Sequence, residues 1–172
     1  MSSVPPLARI AVGVIVERRK ATNPWIDYVW RAASVLPGEA AAKPWTLLGT
    51  QDDVATFYAG AAHIDLFRSE TANYRDNLAS GVPSLWVMLR PTSLDPPYEL
   101  MAVTADPAEG EAFTEAGNDL IEVVPMPEAV RDIVAAFVAE HHVEREFFKR
   151  QRDRANPEAL GRRRPSRGSD DE

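Results

Sequence analysis

Ile10, Val12, Val14 and Val16 stand at every second position among Ala11, Gly13 and Ile15. That is the period of a strand with one buried face. Apolar stretches of strand character recur at 25–36, 45–48, 54–67, 85–89, 98–104 and 120–124. Asn23-Pro24, Pro37-Gly38, Arg90-Pro91 and Asp95-Pro96-Pro97 separate them, because proline cannot donate to the ladder of a central strand. Short breaks with no helix between most strands call for antiparallel pairing. The expected fold is therefore mainly β, as an antiparallel sheet, sandwich or partly open barrel. In 25–36 the parity of Ile26, Tyr28, Trp30, Ala32, Ser34 and Leu36 is expected to face inward, and Gly60 within 54–67 marks a bulge or a close backbone approach.

The period changes in two places. Asp106-Pro107-Ala108-Glu109 offers a cap, a proline at the first helical position and an acid three residues after the cap, and Gly117 suits the far end of one short helix. From Pro127, Val130, Ile133, Val134, Phe137, Val138 and His141 recur at three- and four-residue steps, with Glu128 in the positively polarised first turn. Nothing breaks this pattern before Asn156-Pro157, so a long C-terminal helix reaching about Arg154 is expected, followed by a disordered tail, GRRRPSRGSDDE. The segment 69–84 reads as a polar loop, with Tyr74 to Leu78 ambiguous.

One core suffices for 172 residues, so the organisation expected is a compact β-rich domain over 1–144 and a basic helical extension over 145–172. Its charge is uneven. Residues 145–167 carry nine basic and three acidic side chains, while 1–144 carries ten basic and twenty acidic ones. An acidic body argues against nucleic-acid binding anywhere but the tail. The chain has no cysteine, which removes thiolate nucleophiles, disulfides and cysteine-held zinc or iron–sulfur clusters supplied by the chain itself. The apolar run Ile10 to Val16 is too short to cross a bilayer and has no cleavage signature after it, so a cytoplasmic protein without a membrane span is expected.

Few residues stand out as chemistry. Trp25 and Trp30 fall on opposite faces of one strand and cannot form a single stacking platform. Tyr28 and Trp30 read as core packing, and Trp25, beside the proline break, reads as an exposed anchor. Tyr74, Arg75 and Asn77 gather in the polar 69–84 segment, where loops on a rigid sheet commonly bind. Phe147, Phe148, Lys149, Arg150 and Arg152 would wrap around the extended helix as a docking surface for an acidic protein, an anionic membrane or nucleic acid. His63 with Asp65, and Glu140-His141-His142, lack metal-ligand spacing, and no GxSxG, GxGxxG or GxxxxGK[ST] occurs. Neither a cofactor nor a metal is called for.

NPWIDYVW, VLPG, ETANYRDNL, PSLWVMLR, VPMPEAV and FKRQRDR, spread over about residues 9–155, together resemble a proteobacterial family of unknown function. Its genes commonly lie beside those of molybdenum-dependent formate dehydrogenases. Members are sometimes labelled as the guanylyltransferase of the molybdenum cofactor, molybdopterin-guanine dinucleotide biosynthesis protein A. That enzyme needs a glycine-rich nucleotide loop near the N-terminus, and ARIAVGVIVERRK has one glycine and no such loop. The resemblance implies instead a non-enzymatic partner protein for assembly or maturation of such a dehydrogenase, acting on its subunits or maturation factors. A molybdopterin-type cofactor or nucleotide held by Arg75, Arg90 or the tail arginines is the alternative, and nucleic-acid binding through the tail is a third.

Overall fold

A computed structural model describes residues 4–115 and 117–143. The unit considered below lies within Met1–His142, and Val143–Glu172 is a separate unit. Seven strands make two antiparallel sheets: β1 (Ala8–Lys20), β2 (Tyr28–Pro37), β3 (Thr46–Gln51) and β4 (Val54–Leu66) in the order β2-β1-β4-β3, and β5 (Ser84–Pro91), β6 (Tyr98–Thr104) and β7 (Leu120–Pro125) in the order β6-β5-β7. The sheets approach each other along both flanks, β4 beside β6 and β2 beside β7. The mainly β, antiparallel character follows from the alternation of the apolar runs.

The helices depart from expectation. Three short ones occur among the described residues, α1 (Thr71–Ala79), α2 (Pro107–Glu115) and α3 (Glu128–His141), with a 3-10 turn at Arg68–Glu70 before α1. Among the described residues a single short helix followed by a long C-terminal one is not found, since α3 ends at His141. The first departure is at α1, which the sequence presents as a polar loop. Its inward face carries Thr71 and Asn77 as well as Tyr74, so burial there is achieved by hydrogen bonds and leaves no apolar stripe to read. The second is at the end of α3. His142 leaves the helical backbone with ψ 116°. Its ring is held from α1, with Arg75 Nη1 3.0 Å from Nε2 and Thr71 Oγ1 3.1 Å from Nδ1. A guanidinium only donates, so Nε2 accepts and Nδ1 donates to Thr71. The basic positions Phe147, Phe148, Lys149, Arg150 and Arg152 lie outside the described residues.

The core sits between the sheets. Val12, Val14 and Val16 of β1, Ile64 and Leu66 of β4, and Leu85, Val87 and Leu89 of β5 are fully buried, and α3 lays Val130, Val134 and Phe137 on them. Each such side chain contributes about 2 kcal/mol. Bulges bend both sheets: Ala33 in β2, Ala59 in β4, Leu48 in β3 and Met101 in β6 are each an extra residue opposite a continuous partner. The bulge at Ala33 reverses the parity of β2. Trp30 and Ala32 face inward as expected, but Ile26 precedes the strand and is exposed, Tyr28 at the strand's start is exposed and not in the core, and beyond the bulge Val35 is buried and Leu36 is exposed.

On the outer face of the second sheet, α2 begins where the Asp106-Pro107 signal puts it, with Asp106 Oδ1 accepting from the Ala108 N–H at 2.9 Å. The helix lies so close to β5 that a Cβ at Gly110 would overlap the Trp86 indole ring. Gly110→Ala should therefore destabilise the fold by about 1–3 kcal/mol through overpacking, read as a lower midpoint in urea unfolding. An unchanged midpoint would mean the helix can shift away without loss.

Candidate functional site

One end of the first sheet is aromatic. Arg18, Trp30 and Phe57 lie across neighbouring strands on the core-side face, just past the buried valines. The Arg18 guanidinium stacks over Tyr28 at 4.3 Å, with the Phe57 ring at 5.4 Å and the Trp30 ring at 5.7 Å. Trp45 meets Trp30 edge-on at 6.2 Å, and Tyr98 from β6 reaches Trp30 at 5.9 Å. Such geometry favours a cation over a ring face and a rim-to-face contact between rings.

Trp45 reaches this cluster from an unusual backbone. Pro44 and Trp45 occupy the centre of a turn closed by Thr46 N–H to Lys43 O, and Trp45 has φ 62°. Glycine normally fills such a position, and a larger residue there costs roughly 1–2 kcal/mol. Beside it opens a cavity of about 570 Å³ between β4 and β6, whose lining includes Trp45, Tyr98, Leu94, Leu100, Asp95 and Glu99. A second cavity of about 320 Å³ continues along the same two strands. It shares Ala61 and Leu100 with the first and adds His63, Asp65, Thr104 and Glu109.

The carboxylates at the far end are crowded. Glu109 accepts from Thr104 Oγ1 at 3.0 Å. Burial nevertheless pushes its carboxyl above the usual range, and Asp106, Asp65 and Glu70 push the same way. Asp65 has Arg9 as its ion-pair partner, Nε to Oδ1 3.2 Å, but that oxygen accepts no well-aligned hydrogen bond. No group of three metal-ligating side chains occurs among the described residues.

The residues singled out from the sequence are scattered. Trp25 lies in the β1–β2 connection, 90% exposed, its N–H donating to Asn23 Oδ1 at 3.0 Å. Tyr74 and Asn77 do not reach the surface, being 1% and 4% exposed. The Asn77 amide nitrogen donates to Ser84 O at 2.8 Å and Ala105 O at 2.9 Å, and its oxygen accepts from the Ser84 N–H at 3.0 Å. Tyr74 Oη accepts from the Phe67 N–H at 2.9 Å. These two bind α1 to the strands around it. Arg75 is engaged with His142, and Arg90 with Asp119 at 3.2 and 3.3 Å, so both arginines offered for a cofactor phosphate already have partners. Trp45, Tyr98, Asp95 and Glu99 were missed. Their only local signals, Pro44 and Asp95-Pro96-Pro97, read simply as strand breaks.

Two outcomes follow for the α1 anchor. Asn77→Ala strips three hydrogen bonds and leaves Ser84 and Ala105 groups unpaired, so it should cost about 3 kcal/mol in urea unfolding. A loss within experimental error would deny Asn77 this role. Burial pushes the Tyr74 hydroxyl up from the ordinary 10.0 to about 12. The folded value exceeds the unfolded one, so this contribution is complete below about pH 10 and disappears as pH rises toward 12. Tyr74→Phe should therefore show a shallower loss of melting temperature than the native protein between those values. Parallel curves would refute it.

No curated protein and no solved structure matches the chain. Residues 11–152 match the family described as "Protein of unknown function (DUF3305)", and the chain belongs to that family.

Proposed function

We propose that the protein is a non-enzymatic partner protein that docks through the hairpin end around Trp25, and that its partner is a subunit or maturation factor of a molybdenum-dependent formate dehydrogenase. One observation carries the docking reading. A tryptophan side chain 90% exposed is followed within four residues of sequence by Ile26 at 53% and Val29 at 52%, where water gains nothing from contact with three large apolar groups. Tryptophan is enriched among the residues that dominate protein interfaces, and such patches mark interaction sites more often than chance surface. The arginine-rich sequence of 145–167 adds a source of charged contacts. The choice of partner rests on the sequence resemblance alone.

The test is co-purification from a formate-dehydrogenase-producing proteobacterium, with subunits identified by mass spectrometry. Trp25→Ala combined with Ile26→Ser should remove the dehydrogenase proteins while changing the melting temperature by no more than about 2 °C, as expected of exposed positions. Lys149→Glu, Arg150→Glu and Arg152→Glu together should weaken the same capture. Retention by the Trp25 variant would remove the docking role from this surface, and capture of unrelated proteins alone would remove the dehydrogenase.

A further inference from the structure

We propose that the groove between β4 and β6 binds an extended basic segment of a partner protein, with an arginine or lysine side chain lodged beside Trp45 and Tyr98 and its charge met by Asp95 and Glu99. The site uses none of the residues of the Trp25 surface and does not rest on the identity of the partner proposed above.

The groove exists because pairing stops. Among the described residues β3 pairs with β4 only as far as Tyr58, and from Ala59 onward β4 is bonded to β1 alone. Among the same residues β6 is bonded to β5 alone. Two outer strand edges therefore run beside each other without a shared ladder. The floor is low because β4 presents Ala59, Gly60, Ala61 and Ala62 there, and Gly60, at φ 138°, has only Pro44 and Leu100 near the place of a Cβ.

Charge chooses the occupant. The linings of the two continuous cavities contain Asp95, Glu99, Asp65 and Glu109, one histidine, and neither lysine nor arginine. From outside that lining Arg9 partly offsets Asp65, and Arg90, opposite Glu99 in the β5–β6 ladder, partly offsets Glu99. A phosphate would be repelled, and a purely apolar peptide would take Asp95 and Glu99 out of water without bringing a countercharge, which is costly. A basic segment satisfies both needs: its stems pack on the alanine floor and its cationic heads meet the carboxylates. The same cluster already shows the contact in miniature, since Arg18 stacks on Tyr28 and Trp30. Trp45 lines the first cavity from a left-handed backbone, and strain of that kind gathers at ligand clamps. A small polyamine would meet the charges, but the two cavities run on along the strands as an extended chain does.

The experiment titrates the full-length protein into a fluorescein-labelled peptide of alternating arginine and alanine and follows anisotropy at low and moderate salt. Saturable binding is expected, weaker at higher salt, and lowered about tenfold by Asp95→Asn with Glu99→Gln. Asp132→Asn with Glu128→Gln removes the same charge from exposed positions on α3 and should leave affinity unchanged. Circular dichroism of both double variants should match the native protein, as both alter exposed side chains. Absence of saturable binding at low salt, or equal losses in the two double variants, would overturn the site. Displacement of the peptide by an equal concentration of spermidine would overturn the peptide as its occupant.

Discussion

Everything in this fold leans on β1. It is bonded along both edges, to β2 and to β4, over most of its thirteen residues, and its Val12, Val14 and Val16 are closed off from water. A strand in that position has no freedom to slip, because a one-residue shift would turn its valines to the outside and Ala11 and Gly13 to the core. The neighbours accommodate the bend of the sheet instead. The extra residues Ala33 and Ala59 both lie on strands facing β1, and each re-aims the side chains beyond it.

The bulge at Ala59 has a further effect where β3 ends. Just past the last β3 pairing, β4 turns away and presents small side chains along an edge that no strand covers. β6 bends similarly at Met101. Two curved, unbonded edges facing each other enclose space, and the loops before β3 and β6 furnish its mouth with Trp45 and Asp95, beside Glu99 near the start of β6. Paired strands would have sealed that seam with backbone hydrogen bonds. The groove is thus a consequence of sheet curvature, with its chemistry supplied by loops, the usual division between rigid scaffold and binding residues.

The helices hold the other side by polar contacts as much as apolar ones. Asn77 joins α1 to the start of β5 and to the residue after β6, and His142 links α1 to the end of α3. Buried amides of this kind contribute little net energy when satisfied and cost much when a partner is lost. They fix one arrangement of the helices over the sheets, and that explains why a segment rich in asparagine, aspartate and threonine can be structural here and still look like a binding loop in the sequence.

Sequence alone determined the strands, the antiparallel character and the short helix at Asp106-Pro107, because alternation, proline breaks and caps act through neighbouring residues. It also placed Trp25 on the surface, from the proline beside it, and Trp30 inward, from strand parity, although Trp25 lies before the strand and not on its opposite face. Tertiary structure decided the rest. That α1 is a helix depends on partners for Thr71, Tyr74 and Asn77 that lie on other elements, and the end of α3 depends on Arg75 and Thr71 reaching His142. The bulge at Ala33 that moves Leu36 outward is set by pairing with β1. The groove joins residues from β4, β6 and two loops far apart in the chain, and no local pattern marks them. Contacts made across long separations carry no period, so only the folded chain could bring Trp45, Tyr98, Asp95 and Glu99 to one place.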